Sequence, residues 1–248
     1  MNKSILQNNG LIIGLVVLST ILSSLPLVRM ILLPFEFFTT FIHEGGHTIA
    51  SLLMGEQVSR IVINPDTSGY MQHSVTGGRL AQGFIGSSGY VGAAIFGGVL
   101  IVFSAYKNMS KILIGFLGLL FLTGIVLYVR DVFTLAVCGS LCAVLFFISV
   151  RGSQNVCYFS LNFLAVQCAL NSLGDVVTLV KLSLGAPKSS YSLGHSDADA
   201  VAQAFFLPAV AWSLLWVAIS AVILYYAMKK SSQIRARGAT ASAPAPAA

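Results

Sequence analysis

Apolar residues run through this chain in long, nearly unbroken stretches separated by short polar breaks. Seven such stretches can be drawn, at residues 11–33, 35–54, 80–105, 112–128, 132–150, 156–182 and 200–228. Several reach the roughly 20 residues that a helix needs to cross a bilayer. Barrel strands would instead alternate apolar and polar positions over about 10 residues. In lipid every backbone amide must find a partner inside the protein, so continuous apolar stretches of this length predict helices. The expectation is an all-α polytopic membrane protein with about six to seven transmembrane helices. Pro26 and Pro34 predict a break between the first two spans, because proline removes a backbone donor.

Two segments depart from this pattern. Residues 55–79 are too polar to span. Within them Val58, Ser59, Arg60, Ile61, Val62 and Ile63 favour a strand, Asn64 to Gly69 are turn formers, and Tyr70 to His73 suit a return strand. A small β-hairpin directly after the second span is expected, an ordinary surface loop being the alternative. Residues 83–98 are rich in Gly, Ala and Ser, with Gly89, Ala93 and Gly97 four apart. Small residues at that spacing let helix backbones approach closely in lipid, so this helix can pack directly against the second span.

Composition agrees with the pattern. Of 248 residues 56% are hydrophobic and 9% charged, against about 25% charged in a soluble domain. The net charge of +6 does not signal nucleic acid, since its clearest cluster (Lys229, Lys230, Arg235 and Arg237) directly follows the last apolar stretch. That is where a cytoplasmic, lipid-facing anchor is expected. Cys138, Cys142, Cys157 and Cys168 all fall in or beside apolar segments; reduced packing residues are the expectation, although Cys138 and Cys142 share a helix face. Lys3 and the following apolar stretch resemble a signal peptide without a clear cleavage site, which predicts an uncleaved first span. Three regions result: an N-terminal transmembrane segment at 1–33, a membrane-embedded domain at 34–228, and a basic, then Ala/Pro-rich, disordered tail at 229–248.

The chemistry concentrates in His43-Glu44-Gly45-Gly46-His47, inside the second apolar stretch. Residues four apart project from one helix face, so His43 and His47 converge on one ion while Glu44 can take a proton from a zinc-bound water. Three ionisable residues within five positions of a membrane span are expensive and point to function. Gly45 and Gly46 admit either a substrate backbone or a neighbouring helix, and a locally thin helix is the plainer alternative. A catalytic zinc site usually has a third protein ligand. Asp175 is the only acidic residue well inside a later apolar segment, and zinc would relieve its burial. Asn171, one turn earlier, can steady the site or bind a substrate carbonyl; an interhelical hydrogen-bonding pair is the alternative for both. His195, Asp197 and Asp199 form a second candidate group, within which Ser196 and Asp197 read as a helix N-cap. His73 reads as a loop histidine outside the site.

The stretch from His43 to Ala50 resembles the site-2-protease class of M50 peptidases, and the order of features resembles the M50B-like peptidases more closely. Those features are the motif helix, the turn from Ile63 to Gly69, Gly89 to Ala94 with Gly97, then Asn171-Ser172-Leu173 and Ser196-Asp197-Ala198. The resemblance covers residues 33–228 and implies zinc-dependent peptide hydrolysis within the membrane. It implies Zn2+ held by His43, His47 and a ligand from a later helix, matched here by Asp175, with Glu44 as general base. The chain differs from better-known members in lacking both a clear Asp-Gly pair after that position and a PDZ-like domain.

The expected function is that of an intramembrane zinc metalloendopeptidase acting on membrane-protein substrates in a lipid bilayer, with no nucleic-acid partner. Two rivals are a non-catalytic membrane scaffold or substrate-binding protein, and a metal transporter. A transporter would place more carboxylates along a path than this chain contains.

Overall fold

The computed structural model describes residues 8–23, 26–183 and 196–241, with the helical backbone alone described at 23, 26–29, 171–183 and 238–241. Its elements follow in the order α1 (Gly10–Ser23), α2 (Pro26–Leu53), β1 (Val58–Ile63), β2 (Gly69–His73), α3 (Arg79–Phe103), α4 (Ser110–Tyr128), α5 (Val132–Arg151), α6 (Gln154–Ser183), α7 (Asp197–Ala204) and α8 (Ala209–Ala241). Four helical stretches among the described residues, Arg79–Phe103, Lys107–Tyr128, Val132–Arg151 and Ala209–Arg237, are long and apolar enough to cross a membrane. They expose large apolar side chains, among them Phe116, Val132, Phe147 and Tyr226, as a lipid-facing surface does. The fold is therefore helical and membrane-embedded, with the hairpin directly after the motif helix, as expected. The count of six or seven spans is met only roughly, four being found among the described residues.

Three expected boundaries move. Pro34 lies inside α2 rather than ending a helix, and the break falls earlier, between α1 and α2. The helix continues through Pro34, and the turn that follows is held by packing: Phe35 meets Phe163 edge-on at 4.7 Å, and Phe38 stacks on Phe121 at 5.0 Å. The single segment drawn at 200–228 is instead two helices, α7 and α8, parted at Phe205 to Pro208. Pro208 disfavours helical geometry at the residue before it. Beyond Met228, α8 runs on through the basic cluster to Ala241 rather than giving way to a tail there. Arg235 anchors that extension, donating to Ser231 Oγ at 3.2 Å, Ser104 Oγ at 3.0 Å, Asn162 Oδ1 at 3.1 Å and the Tyr158 hydroxyl.

The core lies where α2, α4, α6 and the hairpin meet. Phe38, Phe41 and Phe121 are buried there, and the absence of a side chain at Gly124 admits the Phe41 ring, which would lie 2.6 Å from a Cβ at that position. All four cysteines are buried and unpaired with one another, as packing residues should be.

The hairpin is antiparallel, pairing Val58 with His73, Ile61 with Met71 and Ile63 with Gly69, with a bulge between Val58 and Arg60. One side of β1 is covered: Ile61 bridges Val129, and the Ile63 amide donates to Thr134 Oγ1 at 2.9 Å. The short Arg130-Asp131 connection supplies this cover, because Asp131 caps α5 by accepting from the Thr134 amide at 2.8 Å. In an antiparallel ladder, residues opposite one another face the same way. Gly69 and Met71 therefore turn their backbone groups to the outer side of β2, where no strand pairs with them among the described residues. That side faces α2.

Both ends of the hairpin are fastened. At the tip Thr67 has φ 70°, uncommon for a β-branched residue. It is held there by Thr40 Oγ1, which donates to its carbonyl at 2.7 Å, and by its own hydroxyl, which donates to Glu36 Oε2 at 3.2 Å. At the base Glu56, only 3% exposed, accepts from the Gly77 amide at 2.9 Å and pairs with His73 Nδ1. Burial pushes the Glu56 carboxyl up, but the Gly77 amide and His73 outweigh it and hold the group below its ordinary value.

A carboxyl lowered in the folded state stabilises above its unfolded pKa, and that contribution fades as pH falls through the lower folded value. Glu56→Ala should thus destabilise by about 1–3 kcal/mol near neutral pH by leaving buried donors unpaired. In thermal melts of detergent-solubilised protein, the gap between wild type and Glu56→Gln should narrow as pH drops below about 4. A gap that stays constant with pH would contradict the clamp.

Candidate metal centre

The site grows from one turn of α2. His43 and His47 lie on the same face, with ring centroids 4.8 Å apart and planes at 76°. A carbonyl oxygen can only accept, so the 2.7 Å contact between His47 Nδ1 and the Ile85 carbonyl places a proton on Nδ1. Neutral His47 then presents the lone pair of Nε2 to the site, as a metal-ligating imidazole must. His43 is positioned by an aromatic stack: Tyr90 meets its ring edge-on at 4.6 Å and itself stacks on Trp216 at 5.1 Å.

Asp197, at the start of α7, brings Oδ2 to 3.1 Å from His43 Nε2 and 3.2 Å from His47 Nε2, and the two Nε2 atoms are 3.1 Å apart. His43, His47 and Asp197 form the group able to hold a metal ion among the described residues. Their spacing fits one. With bonds of about 2.0–2.1 Å, adjacent corners of a tetrahedron are about 3.3 Å apart. The chemistry fits as well, because two imidazole nitrogens and a carboxylate oxygen 3.1–3.2 Å apart are a donor set that a divalent cation takes. Gly89 keeps the space clear, since a Cβ there would run into Nε2 of both histidines.

Glu44 is 5% exposed and points toward β2. A Cβ on Gly69 would lie 3.0 Å from Glu44 Oε1, and the Met71 backbone offers that carboxylate a hydrogen bond. The acid of the motif thus sits between the histidine cluster and the outer edge of β2.

The structure brings His43, Glu44, His47 and Asp197 together. The side chains of Asp175 and Asn171, and His195, lie outside the described residues. Asp197 itself does not act as the expected cap. Ser196 and Asp199 form that capping box alone, with the Asp199 amide donating to Ser196 Oγ at 3.2 Å and the Ser196 amide to Asp199 Oδ2 at 3.1 Å. The Asp197 carboxylate is left to the histidines. His73 pairs with Glu56. Of the two motif glycines, Gly46 is where helices meet: its Cβ would lie 2.5 Å from the Ser88 carbonyl oxygen, whereas one on Gly45 meets nothing within 4 Å. Sequence reasoning did not single out the Ile85 carbonyl, Tyr90 or Trp216, and a backbone carbonyl leaves no trace in residue identity.

Replacing Gly89 by Ala should weaken divalent-metal binding about ten- to a hundredfold or more while the chain remains folded. Metal analysis and competition titration of purified protein check this, and unchanged affinity would contradict the geometry.

A family model described as Peptidase M50B-like matches residues 11–227. No curated protein and no solved structure matches the chain. The matched span contains the motif helix, the hairpin, α3 and Asp197 on α7, and the chain belongs to the M50B-like peptidase family.

Proposed function

We propose that this chain is an intramembrane zinc metalloendopeptidase that hydrolyses peptide bonds in or near transmembrane segments of other membrane proteins. The observation that carries this reading is the convergence of His43 Nε2, His47 Nε2 and Asp197 Oδ2 within 4.8 Å of one another, with Glu44 adjacent on the same turn. In this reading His43, His47 and Asp197 hold the ion. Zinc held by two imidazoles and a carboxylate supplies Lewis acidity and a water acidic enough to be used near neutral pH.

The chain's own groups supply the rest. Glu44 accepts a proton from the attacking water and returns it to the departing amide nitrogen, so the proton count closes over one hydrolysis. A transmembrane helix must unwind before its scissile carbonyl is accessible. The outer edge of β2, with Gly69 and Met71 facing it, suits main-chain pairing with such an unwound segment, which would pass beside Glu44. Burial among α2, α3 and α7 limits bulk water and strengthens each charge interaction.

The test uses purified protein in liposomes with a single-span model substrate. Glu44→Gln should retain stoichiometric zinc yet lose about 10²–10⁴-fold in cleavage rate. A chelator should abolish wild-type cleavage, and added zinc should restore it. Full activity in Glu44→Gln would overturn the catalytic reading and favour a binding scaffold.

A further inference from the structure

We infer that Gly83 and Gly86 are positioning residues for Asp197: they form a groove on α3 into which α7 seats, and that seating sets the affinity of the metal site. The inference rests on the reading of His43, His47 and Asp197 as metal ligands.

The third donor differs from the other two. His43 and His47 share one turn of a 28-residue helix, whereas Asp197 begins a helix of 8 residues. Helices this short are marginal alone, so packing must decide where α7 sits. Its contacts with α3 follow a ladder of glycines three residues apart. At Gly83 an added Cβ would run into the Phe205 ring, which follows α7 directly. At Gly86 it would come 2.6 Å from Val201 Cγ2 and 3.7 Å from the Asp197 carbonyl oxygen, and at Gly89 it would reach the histidine nitrogens. Side chains of α7 thus occupy the volumes that α3 leaves empty, and the same groove ends at the ion site. α7 is also held by Tyr90 of α3 and Trp216 of α8, which pack with the fully buried Ala198 and Val201. The stack that orients His43 therefore also supports the helix bearing Asp197.

Gly86 allows a sharp test because one methyl group accounts for the conflict. Once Val201 Cγ2 is removed, the nearest neighbours of an added Cβ are the Asp197 carbonyl oxygen at 3.7 Å and Val201 Cβ at 4.0 Å, both ordinary contacts. Gly86→Ala touches no ligand and removes none. It should nonetheless displace α7 and weaken zinc binding about ten- to a hundredfold, the range for residues that orient ligands. Gly86→Ala combined with Val201→Ala should recover most of that loss.

Zinc affinity is measured by competition with a chromophoric chelator on full-length, detergent-solubilised protein, alongside the melting temperature of the metal-free form. In an Asp197→Asn background the third donor is already lost, so adding Gly86→Ala should cost no further affinity. Phe205→Ala, which only removes atoms, serves as a second variant and should also weaken binding without lowering the metal-free melting temperature. Wild-type affinity in both Gly86→Ala and Phe205→Ala overturns the inference. An equal loss from Gly86→Ala with and without Asp197 also overturns it, by showing that Gly86 acts on α2. Wild-type protein that binds no zinc would instead remove the metal-site reading itself, and this inference with it.

Discussion

The site depends on how closely two helix backbones approach. α2 and α3 touch at Gly46, where even a methyl group would meet the Ser88 carbonyl, and the opposing Gly92 leaves the same gap from its side. That approach puts the Ile85 carbonyl within reach of His47 and brings Gly89 opposite both imidazoles. Were the helices a normal side-chain layer apart, both histidines would face a void or lipid. Such polar groups could not persist at bilayer depth without partners. Small residues at helix interfaces are the usual means of close packing where lipid removes the hydrophobic drive between helices. Here the same device shapes the candidate ion site.

Around that contact, polar structure is brought into an apolar setting only where its backbone is satisfied. The hairpin lies along α2, with β1 covered by Val129 and Thr134, its tip tied to Thr40 and Glu36, and its base tied through Glu56. The outer edge of β2 carries no further strand among the described residues, and it faces Glu44. There the Met71 backbone offers its hydrogen bond to Glu44, and in the proposed reading an extended ligand would pair along the same edge.

Much of this was legible in the sequence, for reasons of distance along the chain. The histidines and Glu44 fall within one helical turn, so their convergence follows from helix geometry alone. The hairpin was readable because its turn formers, Asn64 to Gly69, are contiguous. The stripe of small residues announced a close helix contact, although not which of Gly45 and Gly46 would be its other half. Asp197 was harder. It stands about 150 residues from the motif, and its neighbours Ser196 and Asp199 give a strong local signature for a helix cap. A capping box needs an acid only at its third position, however, so the second acid in that turn was surplus to the cap. Pro34 misled in the opposite sense, since the helix runs on through it and aromatic packing of Phe35 and Phe38 holds the turn that follows.

The central claim is that two imidazoles and one carboxylate hold a single zinc ion inside the membrane domain. Zinc K-edge X-ray absorption on purified, detergent-solubilised protein addresses it most directly. The account predicts one equivalent of zinc in a shell of nitrogen and oxygen donors near 2.0–2.1 Å, with the outer-shell scattering of two imidazoles and no sulfur. A sulfur shell near 2.3 Å would move the metal to the buried cysteines, and either that result or the absence of stoichiometric zinc would contradict the account.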